Sequence, residues 1–115
     1  MAGTALARNK HGLLYLIVNP ASAGDNTLLA ALAASVKIRV CQLVINCNAG
    51  ANTILFESAN TTAIFPQLEY GDLGGMVLPY NEDGWMETAA NEALTCVLTN
   101  ATAVGMHIGY KHSTY

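Results

Sequence analysis

The sequence predicts an all-β domain, and three observations carry that prediction. Apolar residues alternate with polar ones at period two in several segments. About eight such short segments follow one another at spacings of roughly 8–14 residues, with turn residues between them. No long amphipathic helical pattern interrupts them, so parallel strand–helix–strand units are not implied. The signature is that of a sandwich or a barrel, and 115 residues suit one domain with a substantial core.

Taken in order, residues 1–12 are small and polar, with Arg8 and Lys10, and read as an extended N-terminal arm before a domain covering residues 13–115. Residues 13–18 (Leu-Leu-Tyr-Leu-Ile-Val) form a first strand, closed by Asn19-Pro20 and the small residues through Asp25. Residues 27–34 are rich in Ala and Leu, which favours helix on propensity, but the segment is short and is read as a strand. From Val36 the pattern is clear, because Val36, Ile38 and Val40 alternate with Lys37 and Arg39. Cys41-Gln42-Leu43-Val44-Ile45 then reads as apolar on both faces, as for a strand entering the centre of the domain. The turn cluster at 48–52 predicts a hairpin to the strand at 53–58.

Pro66 demotes residues 61–70 to an edge or bulged strand. Residues 71–75 turn the chain, 76–78 form a short strand ending at Pro79, and Asn81-Glu82-Asp83-Gly84 turns it again. Residues 85–89 are strand or irregular, and 92–99 alternate. A final strand sets Val104, Met106, Ile108 and Tyr110 opposite Gly105, His107, Gly109 and Lys111.

Composition narrows the function. Charged residues make up only 11% of the chain, against roughly 25% in ordinary soluble domains. Ten Asn and ten Thr supply polarity without charge. Such a surface fits a neutral extracellular or virion protein, and equally one covered by neighbouring chains, since interface cores are depleted in Lys, Glu and Asp. Five scattered basic residues and a net charge of −3 give no phosphate-tracking patch, so direct nucleic-acid binding is not expected. The six-residue apolar run at 13–18 is too short for a signal peptide or a bilayer span, so no membrane association is expected either.

No residue pattern points to catalysis. Cys41, Cys47 and Cys96 are odd in number and lack metal-ligand spacing, so they read as small buried hydrophobes. In one regular strand Cys41 and Cys47 would lie about 20 Å apart, too far to bridge. His11, His107 and His112 show no ligand spacing, and no nucleophile elbow is present. Gly71-Asp72-Leu73-Gly74-Gly75 lacks the Lys-Ser/Thr of a phosphate loop. Glu82-Asp83 beside Trp85 could serve as an acid/base pair at a sugar-stacking ring, but the four residues read first as a solvated turn. Trp85 reads as a core or interface anchor. Two glycosylation-type triplets, at Asn60 and Asn100, are expected by chance in so Asn- and Thr-rich a chain. The expectation is a non-enzyme without cofactor or metal.

Several segments resemble small structural proteins of tailed-bacteriophage virions, the type that decorates or cements capsids. They are Gly24-Asp25-Asn26-Thr27-Leu28 leading to Lys37-Ile38-Arg39-Val40, then Gly75-Met76-Val77-Leu78-Pro79-Tyr80-Asn81, Gly84-Trp85 and Asn91-Glu92-Ala93-Leu94. The resemblance covers roughly residues 24–110. It implies a single β-sandwich or jelly-roll-like domain that binds the outside of the shell as a homo-oligomer, often a trimer. Its partners would be further copies of itself and the major capsid protein, and its location the capsid exterior. The alternative is a receptor- or carbohydrate-binding domain of a phage tail or fibre, with Trp85 and Tyr80 on the binding face. The candidate partner-contact residues are Arg8, Lys10, His11, Tyr80 and Trp85, with the arm able to order on a partner or swap between protomers.

Overall fold

The structure is a computed structural model that describes the backbone of residues 4–6 and the whole of residues 12–114. Eleven strands and no helix are present among the described residues. They are β1 (Thr4–Leu6), β2 (Leu14–Val18), β3 (Gly24–Leu29), β4 (Lys37–Asn46), β5 (Asn52–Ser58), β6 (Thr62–Ala63), β7 (Leu68–Tyr70), β8 (Gly75–Leu78), β9 (Met86–Glu87), β10 (Leu94–Leu98) and β11 (Gly105–Ser113).

Every pairing is antiparallel. The first sheet runs β1-β2-β11-β4-β8, with β9 beside β8 on the same edge of β4. The second runs β3-β10-β5-β6, with β7 also on the free edge of β5. Counting β8/β9 and β6/β7 as interrupted strands leaves nine, of which all but the edge strand β1 fall in nested pairs. The first of them (β2) pairs with the last (β11), β3 with β10, β4 with β8/β9, and β5 with β6/β7. One long hairpin wound into two sheets has that order, so the chain is a β-sandwich of jelly-roll topology.

The two sheets enclose one core. Leu16, Val18, Ile38, Val40, Leu43, Ile45, Met106 and Ile108 come from the first sheet, and Leu28, Ile54, Phe56, Leu94, Cys96 and Leu98 from the second. The predicted apolar stripe of Val104, Met106, Ile108 and Tyr110 is buried throughout. All three cysteines are buried and unbridged. Burial pushes the Cys96 thiol up to about 12, and Glu57 adds to the rise.

Three local expectations are corrected. The β4 and β5 strands do not form a hairpin; the chain crosses from one sheet to the other between them. Buried Asn52 fastens that crossing, its Nδ2 donating to the carbonyls of Asn100 (2.9 Å) and Thr102 (3.1 Å) while its Oδ1 accepts from the Asn100 amide (3.0 Å). The third strand begins at Gly24 rather than Thr27 and ends at Leu29, so Ala30–Ala34 lie outside it. Gly24 has a φ of +89°, which only glycine adopts freely, and it starts the strand directly from the turn. Finally, residues 41–45 are not buried on both faces. The β4/β11 register steps from Tyr110↔Val40 to Gly109↔Gln42 and leaves Cys41 as a one-residue bulge. Inward positions therefore change from Ile38 and Val40 to Cys41, Leu43 and Ile45, while Gln42 and Val44 face outward.

Candidate interaction surface

Arg8, Lys10 and His11 lie outside the described residues. Tyr80 and Trp85 lie together in the segment that interrupts the first sheet's edge between β8 and β9. That segment leaves and rejoins β4 through two amide donations, Asn81 to the Cys41 carbonyl (2.8 Å) and Trp85 to the Val40 carbonyl (2.7 Å). The bulge at Cys41 thus sits opposite the excursion. Asn81 Oδ1 accepts the Asp83 amide at 3.0 Å, so Glu82 and Asp83 form an exposed turn, as their composition predicts.

Both aromatic side chains are half-buried and engaged within the fold. The Trp85 indole N–H donates to the Pro79 carbonyl at 2.8 Å and clasps its own loop shut. The Tyr80 hydroxyl accepts from Lys111 Nζ at 2.9 Å, and that bond holds the Lys111 ammonium above its usual pKa.

The residues with chemical potential elsewhere serve the scaffold. Ser58 Oγ donates to Glu92 Oε1 at 2.6 Å and accepts the Ala89 amide, with no histidine in the set. His112 stacks on Tyr110, and His107 stacks on Tyr15 with ring centroids 4.9 Å apart. Among the described residues, no group of His, Cys, Asp and Glu is placed to hold a metal ion, and no pocket opens at the surface.

What remains is the outer face of the first sheet. The registers Ile17↔His107, His107↔Val44 and Val44↔Val77 place these four residues in one row across β2, β11, β4 and β8. Ile17 is 51% exposed and Val77 66%. The next row toward the bulge is Tyr15, Gly109 and Gln42; the row on the other side contains Gly105, Asn46 and Gly75. None of these residues is charged. Charge begins beyond Gln42, where Arg39 Nε donates to Glu87 Oε2 at 2.9 Å and Lys37 lies 3.9 Å from Oε1.

The sequence reading did not select Ile17, Val44 or Val77 because an apolar residue on a strand has the same composition signal whether it faces core or solvent. The signal that could have found them is the both-faces apolar run at 41–45. That run predicts a doubly buried strand, whereas Gln42 and Val44 lie half-exposed on an outer face that is uncharged. Comparison with protein-family models, curated proteins and solved structures finds no match to this chain.

Proposed function

We propose that this chain is a non-enzymatic structural protein that acts by self-association and attachment to a large protein surface. Specifically, it would decorate the exterior of a phage capsid as a homo-oligomer, a trimer in the arrangement such shells favour, and reinforce the shell. The observation that carries this reading is the uncharged row Ile17–His107–Val44–Val77, displayed across four strands of a sheet whose other face is fully engaged in the core. Exposed Ile17 and Val77, gathered with half-exposed Val44 on one uncharged face, favour protein–protein contact. The low charge content agrees with it, and the resemblance of segments within residues 24–110 to phage decoration proteins supports the capsid as the surface.

A glycan-binding tail or fibre domain would need an open aromatic platform. Trp85 and Tyr80 support that reading less well, because each is half-buried and each polar end is engaged within the fold. The test adds the purified chain to capsid shells lacking it. Saturable binding at a fixed number of copies per capsomer, with raised heat tolerance of the shell, is expected. Binding confined to the tail tip, or to glycans and not to shells, would overturn the capsid role.

A further inference from the structure

We infer that the outer face of the first sheet is the surface through which copies of this chain meet each other, its occupant being the same face of a second copy rather than the shell. The inference rests on the self-association reading above, assigns it a location, and makes the contact a two-fold pairing in place of the trimer that the resemblance implies.

Charge is the first argument. The chain carries a net charge of −3, so two copies repel wherever acidic surfaces approach. The three rows centred on Ile17–His107–Val44–Val77 contain no charged residue, so contact there desolvates no ion and opposes no like charges. The rim carries both signs, with exposed Glu82 and Asp83 on the turn between β8 and β9 and Lys37 and Arg39 at the end of the face. A copy turned about a two-fold axis can therefore set opposite charges together at the edge.

Shape is the second argument. The central row is a ridge of side chains, and the rows beside it carry Gly109 on one side and Gly105 and Gly75 on the other. Tyr15 and Gln42 close over buried Gly109, so that side of the ridge is filled, and a two-fold axis through the face sets the same ridge residues against each other, as an isologous contact requires. Gly75 admits no side chain, because a Cβ there would stand 2.0 Å from the Ile45 carbonyl oxygen of the neighbouring strand. Four strands by three rows give a face of roughly 400 Å², from strand spacings near 4.8 Å and row spacings near 6.8 Å. That is about half of one partner's share of a standard interface, and the polar rim supplies the remainder. Two such faces would pack as sheets do, about 10 Å apart.

The experiment uses the full chain, with sedimentation velocity and light scattering read against concentration. Ile17→Glu and Val77→Glu place a charge at opposite ends of the ridge, at positions exposed in the single chain, and far-UV circular dichroism with thermal melting verifies that each folds. Each is expected to raise the dissociation constant by at least about tenfold. Thr27→Glu, exposed on the outer face of the second sheet, is expected to leave association unchanged. Association that survives both ridge variants overturns the inference and leaves self-assembly through another surface. A wild-type chain that stays monomeric at its highest soluble concentration overturns it as well, and if the same variants then abolish shell binding, the occupant is the shell. Copies that associate through the ridge yet never bind shells sustain the inference and defeat the capsid reading instead.

Discussion

The outer face of the first sheet presents Ile17, Val44 and Val77 in a row, with His107 stacked on Tyr15 among them. At the equivalent positions the second sheet presents Asp25, Thr27, Thr53, Glu57 and Glu69, around a single half-buried pair of Leu55 and Val97. Both faces alternate with inward residues of one shared core, so the requirement to fold is the same for each. Folding constrains every second residue; the others are free to be set by surroundings. The second sheet uses that freedom largely in the usual way, with Thr27 and the carboxylates of Asp25 and Glu69 exposed, while Glu57 keeps one carboxylate oxygen buried. The first does not, and the contrast is why contact with protein is assigned to it.

The largest expected effect tests whether the two faces depend on one core. Phe56 is among the largest fully buried side chains, and Phe56→Ala is expected to cost about 3–5 kcal/mol in chemical denaturation. Both sheets should melt together, as one cooperative unit; two separate transitions would break the picture of a shared interior.

Alkaline pH probes the second sheet's side of that interior. Cys96 has its pKa raised by burial from 9.0 to about 12, so the unfolded chain releases this proton before the folded one. Its contribution is intact below pH 9 and declines as pH rises toward 12, by at most about 1.4 kcal/mol per unit. The difference between wild type and Cys96→Ala, followed by urea unfolding from pH 8 to 11, should shrink over that window. A constant difference would mean that the thiol ionises freely in the fold.

A reciprocal swap sharpens the contrast between faces. Thr95, buried on the second sheet's outer side, accepts the Asn60 amide at 3.0 Å and donates to the Glu57 carbonyl at 3.1 Å. Thr95→Val strands those groups and should cost about 1–3 kcal/mol. The reverse change, Val44→Thr on the first sheet, should alter monomer stability by well under ~1 kcal/mol and weaken association instead. Equal effects on folding from both would erase the distinction. Least of all, Glu87→Gln removes the carboxylate shared by Arg39 and Lys37, and about 0.5 kcal/mol or less should be lost, the more so at low salt.

Legibility in the sequence followed the same divide. The inward stripes were readable wherever alternation was regular, as in Val104–Met106–Ile108–Tyr110 and Ile38–Val40, because period two is imposed by the core. The break of Pro66 between β6 and β7 was readable because proline lacks the ladder donor. The crossing from β4 to β5 was not, since Asn48–Asn52 has turn chemistry whether the chain returns beside itself or passes to the opposite sheet. That choice is made by distant partners, among them the loop at Asn100 and Thr102 that holds Asn52. Of the candidate site, Tyr80 and Trp85 were visible as rare aromatics but their engagement within the loop was not, and the apolar ridge was hidden among core-like residues.

The extra residue at Cys41 has one more implication, for changes of length. Lengthening or shortening a strand end only trims it, but removing residue 41 would bring the two halves of β4 into phase. Ile38, Val40, Leu43 and Ile45 would then alternate without interruption, each still facing the core, with Arg39, Gln42 and Val44 still facing outward. A single codon lost here would thus leave every remaining side chain on its own face, a lighter lesion than a codon lost at Val44, which would turn Ile45 toward solvent.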